Sequence, residues 1–280
     1  MIKAGSRGRR PGAPTKTSKQ TLRLQGAKIE VERRGRGRPL VLLQSEEAYE
    51  AALPMIDRLA ERFEVFLPWA PGYGRSSIPD TVLGIDDIAY IFLDLMDHYD
   101  LRRASLLGFS MGGWIAAEMA TKSCARLESV VLVDPLGAKF GGPLDRDIAD
   151  IYFLPFATVK ALKFADPAND PLDDMSGLSE HAAMRVAQHR EVTARLCWEP
   201  YFHNPALKQR LHRISADTLV IWGTNDGMVT TKYGRAFAKR IPGARFVSLP
   251  KAGHYPHIEQ PEAFMTELDR FLGRDKPRRN

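Results

Sequence analysis

Ala104-Ser105-Leu106-Leu107-Gly108-Phe109-Ser110-Met111-Gly112-Gly113-Trp114-Ile115-Ala116-Ala117-Glu118-Met119-Ala120 is the stretch that decides the fold. It opens with the short apolar run of a buried strand and closes with a helix-forming run. Between them Gly108 to Gly112 spell G-x-S-x-G. In a strand–turn–helix context this pattern is a nucleophile elbow. The turn is so tight that the serine is held in strained backbone geometry, with its hydroxyl presented at the carboxyl end of the sheet. Gly108 and Gly112 are needed because strand and helix pass too close for a Cβ. The new helix also aims its positive amino end at the place where negative charge develops. The plain alternative is a glycine-rich turn with a solvated serine, since G-x-S-x-G arises by chance in about one chain in ten of this length. The partners found further along decide between the two.

A base and an acid follow in order. Ala244-Arg245-Phe246-Val247-Ser248-Leu249 reads as a strand. It runs into the loop Pro250-Lys251-Ala252-Gly253-His254-Tyr255-Pro256, with a helix expected from about Gln260. His254 therefore sits just past the last strand. One unit earlier, the apolar strand Thr218-Leu219-Val220-Ile221-Trp222 ends in Gly223-Thr224-Asn225-Asp226, which puts Asp226 on a loop at the same sheet edge. The order Ser110, Asp226, His254 is the Ser…Asp…His order of α/β-hydrolases.

On these residues the chain resembles the α/β-hydrolase superfamily over nearly all of residues 21 to 273. The resemblance is carried by the Ser110 elbow and Gly223-Thr224-Asn225-Asp226. It is also carried by Gly253-His254-Tyr255-Pro256-His257-Ile258-Glu259-Gln260-Pro261 and by the loop Pro71-Gly72-Tyr73-Gly74-Arg75-Ser76. It implies an α/β fold with a mostly parallel sheet, helices on both faces and an inserted, mainly helical cap. It also implies a Ser110–Asp226–His254 triad. It does not specify a substrate.

Composition agrees with one large domain. The chain has 280 residues, 44% hydrophobic and 26% charged, enough for a sizeable core. No apolar run reaches the length of a membrane span, and the first residues lack the apolar stretch of a secretory signal. Two cysteines, Cys124 and Cys197, make no disulfide framework, so a cytoplasmic location is expected. The net charge of +6 belongs to one end. Residues 1 to 20 hold Lys3, Arg7, Arg9, Arg10, Lys16 and Lys19 and no acid. Without these six, basic and acidic residues balance at 34 each. This Gly-, Pro- and Ser/Thr-rich stretch is expected to be a disordered basic extension, and residues 274 to 280 a second basic tail. No aromatic residues interleave with the basic ones, so a nucleic-acid role is not expected.

Residues 21 to 43 read as two short strands and then the buried strand Pro39-Leu40-Val41-Leu42-Leu43. A helix is expected around 47 to 62, a strand at Phe63-Glu64-Val65-Phe66-Leu67, and a helix over about 84 to 98 with Ile88, Ile91, Phe92 and Leu95 at helical spacing. Ser129-Val130-Val131-Leu132-Val133 is a further strand. Strands alternating with helices give a mostly parallel sheet, whose ligands bind at the strands' carboxyl ends. The alternation breaks between Asp134 and about Arg213. The core is thus expected at 21–135 and 214–273, with the cap at 136–213. The cap carries Tyr152, Phe153, Phe156, Phe164, Trp198, Tyr201 and Phe202, which serve either its own small core or an apolar lining for substrate. Its histidines His181, His189, His203 and His212 show no metal-ligand spacing, so neither metal nor cofactor is expected.

A serine hydroxyl needs an adjacent base to become a nucleophile. The resemblance assigns that task to His254, oriented by Asp226, with Asp134 as the rival acid at the end of the preceding strand. The oxyanion hole is expected from the backbone N–H of Met111 and one N–H of the loop after Leu43. The superfamily usually carries His-Gly there, whereas this chain has Gln44-Ser45-Glu46-Glu47. Alignment makes Glu46 N–H the second donor, with Ser45 next. A carboxylate about 5 Å from the oxyanion, at an effective dielectric near 20, would cost roughly 3 kcal/mol, about a hundredfold in rate. The Glu46 side chain is therefore expected to point away. Glu46 and Glu47 alternatively start a helix or select a cationic substrate group.

The expected activity is cleavage of a carboxylic ester or similar acyl bond of a small, partly apolar molecule. Phe109, Ser45, Trp198, Tyr152 and Phe156 are the candidate substrate contacts. A serine nucleophile sets the chain apart from the haloalkane dehalogenases and epoxide hydrolases, which use aspartate. The carbon–carbon hydrolases of aromatic-ring degradation share the triad and the cap, but usually place Asn where this chain has Phe109. They also need a cap arginine, for which Arg185, Arg190 and Arg195 are available. The remaining alternative is a ligand-binding protein with a degenerate hydrolase pocket.

Overall fold

The computed structural model describes residues 17–47, 52–142, 144–172 and 175–273. Eight strands form one sheet: β1 Thr17–Leu24, β2 Ala27–Gly35, β3 Arg38–Leu43, β4 Phe63–Pro68, β5 Ala104–Phe109, β6 Leu127–Val133, β7 Asp217–Gly223 and β8 Arg245–Leu249. Their order across the sheet is β1-β2-β4-β3-β5-β6-β7-β8. β1 and β2 are an antiparallel hairpin attached to the β4 edge, and all pairs from β4 to β8 are parallel.

The helices are α1 Leu53–Ala60, α2 Ile85–His98, α3 Met111–Lys122, α4 Phe156–Lys163, α5 Glu180–Cys197, α6 Leu207–Arg210, α7 Thr231–Lys239, α8 Pro256–Glu259 and α9 Pro261–Leu272. Among the described residues none is long and apolar enough to cross a membrane.

The parallel strands are apolar on both sides because both faces are covered. Val41, Leu43, Leu106, Val130, Leu132 and Val220 pack with α2, α3 and α7 on one face. Their neighbours Leu40, Leu42, Leu107, Val131, Val133 and Ile221 pack with α1 and α9 on the other. The α2 stripe is as expected, with Ile88, Ile91, Phe92 and Leu95 all buried.

Two boundaries differ from expectation. Residues 17–20, assigned to a disordered extension, instead begin β1, where their backbones pair with Val31 to Arg34 and Lys19 faces Glu32. The basic residues before position 17, and the tail 274–280, lie outside the described residues. The helix expected from residue 47 begins at Leu53, because Pro54 fits only the first turn, where a missing N–H costs nothing. Residues 48–51 are likewise outside the described set.

The chain leaves the sheet after β6 and returns at β7, and the intervening stretch carries α4, α5 and α6. β3 continues to β4 on one side while β5 continues to β6 on the other, so the crevice between the ends of β3 and β5 is the topological switch point. The loops holding Glu46 and Ser110 meet there.

Candidate active site

The elbow is built by steric necessity. Ser110, between β5 and α3, has φ +50° and ψ −115°, a conformation a side-chain-bearing residue holds only when its surroundings over-determine it. Its N–H donates to Val133 O at 2.9 Å, and its carbonyl accepts from Trp114 N at 3.0 Å. A Cβ on Gly108 would lie 2.3 Å from Gly112 O. One on Gly112 would lie 2.3 Å from Leu43 O and 2.4 Å from Gln44 O. The second glycine thus lets the elbow press against the loop after β3.

The base and acid arrive from β8 and β7. His254 Nε2 lies 2.8 Å from Ser110 Oγ, and its Nδ1 lies 2.7 Å from Asp226 Oδ2. The other Asp226 oxygen accepts from Met228 N at 2.8 Å and Val229 N at 2.9 Å. An ionised carboxylate only accepts, so Nδ1–H donates to Asp226 and Nε2 is left to accept from the serine hydroxyl. All three side chains are buried. Burial pulls the His254 pKa down, but the charge and hydrogen bond of Asp226 outweigh it, and the net shift is upward.

Asp134, the rival acid, directly follows β6 and lies beside Asp226 rather than against His254 Nδ1. Its Oδ1 accepts from Gly223 N at 3.0 Å. Its burial and the neighbouring Asp226 charge push its carboxyl well above the ordinary 3.8. Asp134, Asp226 and His254 have donor atoms within 4.8 Å of one another, the spacing a cation could use. Nδ1 and Oδ2 are however already committed to each other.

The insertion is tied to both of these loops. Leu162 O accepts from Gly227 N at 2.9 Å, and Lys163 O accepts from His254 N at 2.7 Å. The Glu259 carboxylate collects Gly253 N at 2.6 Å, Asp166 N at 3.0 Å and Ala165 N at 3.2 Å.

The loop after β3 overturns one expectation. The Glu46 side chain does not point away: Met111 N donates to Glu46 Oε2 at 3.4 Å. The single Tyr255 hydroxyl proton lies between the other Glu46 oxygen, 3.4 Å from Oη, and Glu47 Oε2, 3.1 Å from Oη. Glu46 is only 3% exposed, and the donors nearby hold its carboxylate inward. Glu47 is ion-paired with Lys163 of α4. Neither Tyr255 nor Lys163 was identifiable as a site residue from sequence. Lys163 reaches its partner across 116 positions, and no local pattern marks it.

A cavity of about 390 Å³ lies against this loop, lined by Glu46, Glu47, Tyr152, Phe156, Arg185, His189 and others of the insertion. Tyr152 and Phe156, two of the five candidate substrate contacts, thus line this cavity. The other three candidates lie elsewhere. Phe109 is buried against His257, ring centroids 4.3 Å apart, and Phe264. The Ser45 hydroxyl donates to Glu47 O at 2.7 Å. Trp198 stands 60% exposed and lines a second, separate cavity with Asp145, Asp147 and Tyr201. His189, on the first cavity, accepts from Gly74 N at 3.1 Å, and burial holds its pKa down to about 4. It is a neutral packing group there. Ser110 is not among the lining residues; Glu46, whose carboxylate reaches the N–H beside Ser110, is.

Comparison with known proteins identifies the fold family. A family model described as alpha/beta hydrolase fold matches residues 42–261. The chain is 29% identical over 231 residues to a 2-hydroxy-6-oxononadienedioate/2-hydroxy-6-oxononatrienedioate hydrolase of Paraburkholderia phymatum, covering 75% of this chain and 77% of that one. It is 26% identical over 260 residues to a pimeloyl-[acyl-carrier protein] methyl ester esterase of Aeromonas hydrophila, covering 88% and 99%. An esterase structure from Exiguobacterium antarcticum superposes with a TM-score of 0.73 at 19% identity, covering 91% and 99%. At that identity the likeness is one of fold.

Proposed function

Because the chain belongs to the alpha/beta hydrolase fold family, we propose that it is a serine hydrolase that cleaves a carboxylic ester or similar acyl bond through an acyl-enzyme on Ser110. One observation carries this reading: the continuous hydrogen-bonded line Ser110 Oγ–His254–Asp226, at 2.8 and 2.7 Å. His254 Nε2 takes the Ser110 proton as Oγ attacks the carbonyl carbon. Asp226 keeps the imidazole in the required tautomer and stabilises the imidazolium. The tetrahedral oxyanion takes the Met111 N–H. His254 returns its proton to the departing alcohol, then deprotonates the water that releases the acid. The stretch 136–213 acts as a cap, and Tyr152 and Phe156 supply apolar contact to the substrate.

Carbon–carbon hydrolysis of a ring-fission diketone is the second reading. It is favoured by Arg185 and Arg190 on the cavity wall and by the Paraburkholderia relative. Arg195, the third cap arginine considered, faces Asp80 at 3.8 Å instead. Turnover of ring-fission diketones against esters separates the two.

Intact mass after exposure to a fluorophosphonate tests the shared premise. A single adduct on the wild-type chain that is lost in Ser110→Ala is the expected outcome. A folded wild-type chain that takes no adduct would leave a ligand-binding protein in place of an enzyme.

A further inference from the structure

A carboxylate removed from water needs a partner that offsets the loss of hydration. Glu46 is buried at the edge of the cavity with Met111 N–H at 3.4 Å and the Tyr255 hydroxyl at 3.4 Å, whose single proton has a nearer acceptor in Glu47 at 3.1 Å. Bonds to an ionised carboxylate normally run to about 2.7–2.9 Å from N–H and shorter from O–H. Its neighbour Glu47 has Lys163. Among the described residues no cation is ion-paired with Glu46, although Arg185 and Arg190 line the same cavity. Arg190 lies over the Tyr152 ring, its guanidinium carbon 5.7 Å from the centroid. Meanwhile Met111 N–H is the donor an oxyanion needs. One side chain thus holds that donor and also presents a negative charge to whatever enters the cavity.

We propose that Glu46 is the specificity residue of this site, selecting substrates that carry a protonated amine close to the scissile acyl group. The ammonium pairs with the Glu46 carboxylate and draws it off Met111 N–H, and the vacated N–H then receives the oxyanion. A neutral ester brings nothing to displace the carboxylate and meets its repulsion in the transition state. The inference rests on the serine-hydrolase reading and adds the substrate class to it.

The test uses matched pairs of 4-nitrophenyl esters: 3- and 4-(aminomethyl)benzoates against the 3- and 4-ethylbenzoates. Each is run with the full wild-type chain, Glu46→Gln and Glu46→Ala. The wild-type chain is expected to favour at least one amine ester over its ethyl twin by tenfold or more in kcat/KM, as one ion pair near the reacting carbonyl allows. Both variants lose that preference, and their Ser110 labels about tenfold faster with a neutral fluorophosphonate. Equal kcat/KM for the twins in the wild-type chain overturns the inference, as does a preference that survives both substitutions. In either case labelling of Ser110 still upholds the hydrolase reading. Absence of labelling and turnover in all three chains removes that reading, and the inference with it. Glu46→Gln preserves shape, and unchanged thermal melting of either variant is enough to read the result.

Discussion

The two halves of the site are made in different ways. The proton-relay half joins Ser110, His254 and Asp226 by bonds of 2.7–2.8 Å, with the Asp226 end fixed by two backbone donors. The anion half, centred on Met111 N–H, is reached by a loop whose side chain, Glu46, takes the place an oxyanion would use. In the first half every contact suits the acyl transfer proposed for the site. In the second a charge opposes it. Backbone sterics dictate the relay, whereas the other half depends on where one flexible carboxylate finds donors.

The sharpest way to break this contrast is in the relay. Asp226→Asn leaves the shape but removes the charge, and kcat/KM should fall by about 10⁴-fold. His254 serves as a base only when neutral. Asp226 raises its pKa, so the wild-type rate should fall as pH drops through a point above the ordinary 6.5, and in the variant that limb moves to lower pH. A pH profile of kcat/KM for both chains checks this. Next comes the position where the halves touch. Gly112→Ala pushes a Cβ into Leu43 O and Gln44 O, 2.3 and 2.4 Å away. Both are backbone atoms with no room to yield, so a loss of about 3 kcal/mol in denaturant stability is expected.

The smallest effect sharpens the assignment of the acid. An acid whose folded pKa lies above its unfolded value destabilises the fold as pH rises, because the unfolded chain releases the proton first. Asp134→Asn keeps an oxygen for Gly223 N–H and cannot ionise. It should be about 1 kcal/mol more stable than wild type at pH 7, with the difference vanishing below the ordinary carboxylate value of 3.8. Its kcat should stay within about threefold; a collapse comparable to Asp226→Asn would give the relay to Asp134.

Most of the sheet was legible because apolar runs such as Leu40-Val41-Leu42-Leu43 have one use, a strand covered on both faces. The relay was legible for a related reason. G-x-S-x-G and the loops holding Asp226 and His254 are backbone solutions, and Gly108 and Gly112 answer clashes that exist whatever the substrate. The direction of Glu46 was not legible. Electrostatics at the oxyanion argued for an outward side chain, but burial and the hydroxyl of Tyr255, 209 positions away, decided otherwise. Trp198 was not legible either, since an aromatic residue in this stretch reads alike whether it lines the first cavity or, like Trp198, packs on the outer side of Tyr152 and lines the second.

The end of α4 has a mechanical consequence. Consecutive carbonyls, Leu162 O and Lys163 O, hold the acid loop at Gly227 and the base loop at His254, and Lys163 also grips Glu47 beside the elbow. These few atoms act as a strut under load from three sides. A displacement of the insertion that stretches it reaches the acid loop, the base and the anion loop together. The insertion, the acid loop, the base loop and the anion loop are therefore joined through two consecutive residues of one helix end.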